Sequence, residues 1–288
     1  MINYREPLFR PPAEADSLIF QAAYGCPHNC CRFCMMYKSV RYSVRDKHEL
    51  FADFEEGARL YPDASRIFLA DGDVMVLPFG MLCEYLERLG SLFPQLARVN
   101  VYANGSSILD KTEEQLRELH RLKLNTVYVG LESGDEGLLK LVNKGETAGN
   151  MVRAVKTAQA CGLRCSVMAL AGLGGRGHSE IHALKTAEVL NNMQPRLLSV
   201  LRFIEVPGTV MFKGYEAVSE YEAVLEIRKL IENLDLEKTV FRANHASNPV
   251  PLGGRFPQDK GKLIAELDYM LASRKLDRKG PGPVPFYL

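Results

Sequence analysis

The chain has 288 residues, with 36 Lys and Arg against 35 Asp and Glu, and a formal net charge of +1. That balance gives no electrostatic reason to expect a nucleic-acid partner, and no basic run interrupts the chain. No apolar run approaches membrane-spanning length and the first residues lack the apolar stretch of a signal peptide, so a cytoplasmic α/β protein with reduced cysteines and no membrane contact is expected.

Residues before Ser17 are rich in Pro and charge and read as an arm laid over the surface. Leu18 to Ala23 is a short apolar run that predicts a first strand. Directly after it comes Gly-Cys-Pro-His-Asn-Cys-Cys-Arg-Phe-Cys, with Cys26, Cys30, Cys31 and Cys34 inside nine residues. Disulfides are disfavoured, because the neighbours Cys30 and Cys31 cannot bridge without distorting the peptide. A structural zinc site needs a second Cys/His hook. Cys83 stands alone, and Cys161 with Cys165 is not at hook spacing. An iron-sulfur cube differs, since one loop can reach three of its corners and leave the fourth iron without a protein ligand.

Ser43 to Arg59 has the charge and apolar spacing of a helix, and Arg66 to Ala70 is a buried strand. A helix near Met81–Leu92 and a strand over Arg98–Ala103 follow. Thr112-Glu-Glu-Gln115 is a capping box that starts a helix with Leu116, Leu119 and Leu122 on one face. Further strands are expected at Thr126–Leu131, Cys165–Leu170 and Leu197–Phe203, with helices near Val155 and Ala187 between them. Six strands alternating with helices predict βαβ crossovers, a parallel sheet, and active loops at the strand C-terminal ends. A doubly wound open sheet is the alternative, although no Gly-x-Gly-x-x-Gly follows the first strand.

The loops after the strands are candidates for chemistry; three of them also fit an ordinary turn, whereas the Glu132 loop puts a carboxylate at a strand end, where burial is costly unless it is paired. They are Asp71-Gly72-Asp73, Asn104-Gly-Ser-Ser107, Glu132-Ser133-Gly134 and Ala171-Gly172-Leu-Gly-Gly175. His182 reads as a helix cap or a solvent-facing residue. Beyond Val210, a helix near Tyr221–Asn233 precedes a polar segment, Phe241 to Gly254, that reads either as a solvated loop or as a lid.

The order Cys31-Arg32-Phe33-Cys34 with an earlier cysteine resembles the cluster loop of the radical S-adenosylmethionine (radical SAM) superfamily. Gly-Leu-Glu132-Ser133-Gly with Asn143-Lys144-Gly145 is similar to the branch that includes oxygen-independent coproporphyrinogen oxidases and methylthiotransferases. The superfamily's usual loop has three residues between its first two cysteines, then two. No single triple here satisfies both intervals. The aromatic residue before the last cysteine favours Cys26, Cys31 and Cys34 as cluster ligands, and the triple Cys26, Cys30, Cys34 stays open. Met36 stands where coproporphyrinogen oxidases carry one more cysteine.

The resemblance implies a partial six-stranded (βα)6 barrel: an arm over 1–16, a core over 17–210, and a C-terminal extension over 211–288 that closes the barrel. It also implies an oxygen-sensitive enzyme with a 4Fe-4S cluster and S-adenosylmethionine. Reductive cleavage of that cosubstrate gives a 5′-deoxyadenosyl radical that abstracts hydrogen from substrate, with electrons from a donor such as flavodoxin or ferredoxin. Asp71, Gly72 and Asp73 would receive the methionine ammonium, Asn104 and Glu132 the ribose and Gly172 the adenine, with Ser133 in the same cosubstrate site. Arg202 interrupts the last strand, and its guanidinium needs a partner, either Glu205 or an anionic ligand in the barrel mouth. Arg242 and His245 converge on the same opening if their segment is a lid, which predicts a small or medium-sized substrate with a carboxylate or phosphate. The competing expectation is a zinc-binding βα protein without radical chemistry.

Overall fold

A computed structural model describes residues 2–282, so the last six residues of the expected extension lie outside the described part. In chain order the elements are β1 (Leu18–Gln21), β2 (Ala23–Tyr24), β3 (Ser43–Val44), α1 (Lys47–Leu60), β4 (Arg66–Ala70), α2 (Phe79–Leu92), β5 (Arg98–Ala103), α3 (Gly105–Leu109) and α4 (Glu113–Arg121). Then come β6 (Leu124–Glu132), α5 (Glu136–Leu141), α6 (Ala148–Ala160), β7 (Arg164–Ala171), α7 (Ser179–Met193), β8 (Leu197–Arg202), α8 (Glu220–Asn233), β9 (Val240–Ala243), β10 (Leu252–Arg255) and α9 (Lys260–Ala272).

Eight strands form one sheet in the order β1-β4-β5-β6-β7-β8-β9-β10, and β2 with β3 makes a separate short hairpin. The six expected strands are β1 and β4 to β8. The sheet is larger than expected by two strands, because β9 pairs parallel with β8 and β10 pairs antiparallel with β9. β9 begins in Thr239-Val-Phe, which has strand composition, and its end and β10 come from the Phe241 to Gly254 stretch read as loop or lid. Val240-Phe-Arg-Ala243 alternates strictly, burying Phe241 and Ala243 while Arg242 is exposed.

The chain divides into two compact units: Met1–Asn29, Met36–Val129 and Ala154–Cys165 in the first, and Cys30–Met35, Gly130–Arg153 and Ser166–Leu288 in the second. In the first unit, alternate residues of the strands face opposite ways. Phe20 and Leu69 are fully buried on the side of α1 and α2, where the Phe20 ring meets Phe54 edge-on at 4.9 Å. A Cβ on Gly57 would lie 2.5 Å from that ring, so glycine lets α1 approach closely. The other face carries Ile19, Phe68, Ala70 and Tyr128, with Leu8 of the N-terminal arm packed against them.

The arm therefore does more than lie on the surface. Its Glu14 is buried and accepts hydrogen bonds from Ser17 Oγ at 2.6 Å, from the Asn100 amide at 2.9 Å and from the Tyr128 hydroxyl. Three donors are what make a carboxylate tolerable there.

In the second unit, small residues bring the helices close to the sheet. Ala169 and Ala171 of β7 line a small cavity with Ala183, Ile227 and Leu230 of α7 and α8. Leu198 and Val200 of β8 are fully buried and in register with Val167 and Ala169.

Candidate active site

In the first unit, β4 delivers Asp71-Gly72-Asp73 to the start of the cysteine loop. The Gly72 N–H donates to the Gly25 carbonyl at 3.1 Å, and a Cβ on Gly72 would lie 2.8 Å from Cys26 Cβ. Only glycine fits that contact. Asp71 is buried, and its two oxygens accept from the Tyr37 hydroxyl at 2.9 Å and the Gln21 amide at 3.1 Å. The same Gln21 side chain holds the Arg5 N–H and carbonyl, so the arm braces Asp71. Burial pushes the Asp71 carboxyl up to about 6, although both hydrogen bonds pull it back.

Asp73 is buried as well, with Oδ1 2.9 Å from the Ser107 hydroxyl. Burial pushes its carboxyl up to about 7 against the opposing pull of Ser107 and, further down, of the Lys111 ammonium. Ser107 also accepts the Asn104 N–H at 3.0 Å, which ties the loop after β5 to the loop after β4. Both carboxyls at the end of β4 are thus buried and hold a proton more tightly than a solvated carboxylate. Sequence reasoning named Asp71, Gly72, Asp73 and the Asn104–Ser107 loop here and missed Gln21, Tyr37 and Lys111. A buried polar Gln ending an apolar strand was the one local signal.

In the second unit, the later half of the cysteine loop docks on the segment after α5. The Arg32 N–H donates to the Val142 carbonyl at 2.8 Å, the Asn143 amide donates to the Cys30 carbonyl at 3.1 Å, and Cys31 Sγ lies 3.9 Å from the Lys144 carbonyl. Phe33 packs into an apolar cluster of Leu138, Val142, Leu173 and Phe203, its ring edge-on to Phe203 at 6.5 Å. Cys30 is exposed, while Cys31 and Cys34 are half-buried.

Glu132 ends β6 in a left-handed backbone conformation, φ 61°. Its Oε1 is 3.1 Å from Lys144 Nζ, and a Cβ on Gly130 would sit 2.0 Å from that oxygen. The glycine thus lets the carboxylate fold back over the strand. Burial alone would lower the Lys144 pKa, yet Glu132 and the nearby Cys31 and Cys34 outweigh it and the net direction is up. Lys144 is therefore an ammonium beside two thiols.

Ser133 is fully buried and its hydroxyl accepts the Asp135 N–H at 2.9 Å, which makes it a turn residue. Gly172, φ 81°, has both backbone groups occupied within the protein: its N–H donates to Glu226 at 2.7 Å, and its carbonyl accepts from the Tyr215 hydroxyl at 3.2 Å. His182 neither caps nor faces solvent. It is buried, with Nδ1 2.9 Å from Glu226 Oε1 and Nε2 3.3 Å from the Glu132 carbonyl.

Arg202, Arg242 and His245 do not converge. Arg202 is in register with Ala171 and so shares its helix-facing side, whereas Arg242 is in register with Ser199 and lies on the opposite face. Arg202 is 4% exposed, and among the described residues its Nε and Nη1 have no hydrogen-bond partner. Burial lowers its pKa and the Glu220 charge opposes this; among the described residues it makes no ion pair with Glu205. His245 Nδ1 is 2.9 Å from Ser247 Oγ, which accepts the Arg202 N–H at 3.2 Å. Asn248 Nδ2 donates to Val200 and Ala243 carbonyls at 2.8 and 3.0 Å. The 245–248 turn therefore replaces ladder hydrogen bonds where β8 and β9 part, and is not a lid.

No helix among the described residues is long and apolar enough to cross a membrane, and no three His, Cys, Asp or Glu side chains among them are gathered closely enough to hold a metal ion. A family model described as the Radical SAM superfamily matches residues 21–189, more than half of the chain. The uncharacterized protein MJ1620 of Methanocaldococcus jannaschii is 24% identical over 294 residues, which cover 92% of this chain and 57% of that protein. The chain thus spans little more than half the length of this relative. The solved FeFe-hydrogenase maturase HydG from Carboxydothermus hydrogenoformans is 19% identical with a TM-score of 0.50, covering 87% of this chain and 56% of its own. Methylornithine synthase, PylB, is 14% identical with a TM-score of 0.53, covering 88% and 81%. At these identities the two structures show likeness of fold alone.

Proposed function

Because the chain belongs to the radical SAM superfamily, we propose that it is an enzyme that holds a 4Fe-4S cluster on Cys26, Cys31 and Cys34 and cleaves S-adenosylmethionine reductively to abstract hydrogen from a small-molecule substrate. The donor set suits such a cluster. Three thiols lie on one loop, Gly72 has no side chain to crowd Cys26, and Lys144 offsets the charge of Cys31 and Cys34 as thiolates. When bound, the cluster supplies the electron that breaks a carbon–sulfur bond of the sulfonium. Asp71 and Asp73 are the groups for the methionine ammonium, with Gly72 leaving room for it, and Glu132 with Lys144 and Asn104 are those for the ribose. Ser133 and Gly172 have roles in shaping these loops rather than touching the cosubstrate. Phe33 and its apolar neighbours keep water from Cys31 and Cys34. A low-potential carrier of the flavodoxin or ferredoxin kind would supply the electron.

The observation that carries this reading is the docking of Cys31-Arg32-Phe33-Cys34 onto the Glu132–Lys144 pair, which joins thiols, a fixed cation and a strand-end carboxylate in one unit. Anaerobic reconstitution with iron and sulfide should give brown protein with about four irons per chain, which releases 5′-deoxyadenosine from S-adenosylmethionine and a reductant. Colourless protein with stoichiometric zinc, and no 5′-deoxyadenosine, would sink the proposal in favour of a zinc-binding βα protein.

For the substrate, the unpartnered buried nitrogens of Arg202 favour a ligand with a carboxylate or phosphate. Arg242 is exposed on the opposite face of the sheet and so falls outside this contact, and His245 acts through Ser247. Once an activity is known, Arg202→Met should raise the half-saturating substrate concentration without lowering uncoupled cosubstrate cleavage, whereas Arg242→Met should leave it unchanged. Unchanged saturation in Arg202→Met, or a substrate without an anionic group, overturns this assignment.

A further inference from the structure

Glu226 lies on α8, well beyond residue 189 where the family match ends. It is 4% exposed, yet its carboxylate has donors on both oxygens. Oε1 accepts the Gly172 N–H at 2.7 Å and faces His182 Nδ1 at 2.9 Å, while Oε2 accepts the Ser179 hydroxyl. Gly172 belongs to the loop after β7, and Ser179 opens α7. His182, on the same helix, extends the reach of Glu226 to the loop after β6, because its Nε2 meets the Glu132 carbonyl at 3.3 Å. A carbonyl can only accept, so Nε2 carries a proton, and the proton at Nδ1 is shared with the carboxylate. One side chain thus ties down two strand-end loops.

We infer that Glu226, acting through His182, is a positioning residue for the cosubstrate: it clamps the loops after β6 and β7 and so aims the Glu132 carboxylate. This rests on the proposal that Glu132 meets S-adenosylmethionine. Glu132 is a non-glycine residue at φ 61°, a conformation that persists only when its surroundings impose it. The surroundings are α7, whose His182 holds the Glu132 carbonyl and whose Thr186 accepts the Gly134 N–H at 2.9 Å. Beyond the clamp, Lys144 is the side chain paired with the carboxylate where it folds over Gly130. The pair borders the cavity lined by Ala169, Ala171 and Ile227, where low polarity strengthens each hydrogen bond. His182 holds its proton more tightly than a free imidazole, since Glu226 and the Glu132 carbonyl outweigh the opposing cost of burial. The C-terminal segment is therefore part of the cosubstrate machinery.

The test uses the reconstituted holoenzyme and S-adenosylmethionine as the probe, read by the perturbation that its binding causes in the cluster's electron paramagnetic resonance. Glu226→Ala and His182→Ala should weaken binding roughly 10- to 100-fold, as loss of an orienting partner does at metal sites, with iron content unchanged. Glu226→Gln and His182→Gln keep the shape, and His182→Gln keeps a donor for the Glu132 carbonyl. The latter should recover part of the affinity, which a merely structural role would not produce. Glu132→Ala separates the two levels of the argument. If Glu132→Ala weakens binding while the well-folded Gln variants and the Ala variants bind like wild type, the clamp is wrong. If Glu132→Ala itself binds normally, the cosubstrate role of Glu132 falls first.

Discussion

Asp73→Asn should make the cluster-free protein more stable while spoiling its cosubstrate site. The Asp73 carboxyl ordinarily titrates near 3.8 and is pushed up to about 7 by burial. Roughly three units at ~1.4 kcal/mol each put the cost of ionising it in the ligand-free fold near ~4 kcal/mol. The folded state holds this proton more tightly than the unfolded state. Its contribution is thus fully present below pH ~4, is lost as pH rises through about 7, and stays lost above. Asparagine never ionises, and its Oδ1 still accepts from the Ser107 hydroxyl. Its amide NH2 cannot accept the backbone N–H groups that the carboxylate accepts, that of Val76 among them, which takes back ~1–2 kcal/mol and leaves a gain of ~2–3 kcal/mol at pH 8 and almost none at pH 4.5. Urea unfolding of cluster-free wild type and variant at both pH values measures the gap. After reconstitution the variant should bind S-adenosylmethionine about tenfold more weakly or worse, since an uncharged amide cannot offset an ammonium. A variant less stable than wild type at pH 8, or a gap independent of pH, would refute the reasoning.

Cys26→Ala, Cys31→Ala and Cys34→Ala should each lose the cluster, whereas the exposed Cys30→Ala should keep wild-type iron and cosubstrate cleavage; loss in Cys30→Ala with retention in Cys31→Ala would exchange the ligands. Gly72→Ala places a methyl 2.8 Å from Cys26 Cβ and should reduce iron retention with little change in far-ultraviolet circular dichroism. Phe33→Ala empties part of the cluster around Phe203 and, because Phe33 is half-buried, should cost roughly 1–3 kcal/mol by urea unfolding. The same change should speed loss of the cluster in air, as water reaches Cys31 and Cys34.

Much of the sheet was legible because its evidence is local. Apolar runs such as Arg66–Ala70 and Arg98–Ala103 are bounded by turn residues, and both strands have the expected limits. Thr112 and Gln115 form the expected capping box, with bonds of 3.0 and 3.2 Å, because all its parts lie within four residues. The candidate site was legible to the same extent: cysteines and strand-end carboxylates stand out by type and spacing. β10 was not, since Leu252-Gly-Gly-Arg255 has no strand composition and takes its conformation from pairing with β9.

By itself, then, the sequence determined the order of β1 and β4 to β8 with the main helices between them, the loop that bears the thiols, and the carboxylates at the strand ends. Only the tertiary structure decided which groups are buried together. Glu14 with Tyr128 and His182 with Glu226 are pairs separated by 114 and 44 residues, and their partners carry no local signature. The side of the sheet on which Arg202 lies was decided the same way, by its register with Ala171 and Ser199 with Arg242. The reason is physical: local conformation follows from neighbouring side chains, whereas desolvation, proton affinity and facing depend on which distant groups exclude the water.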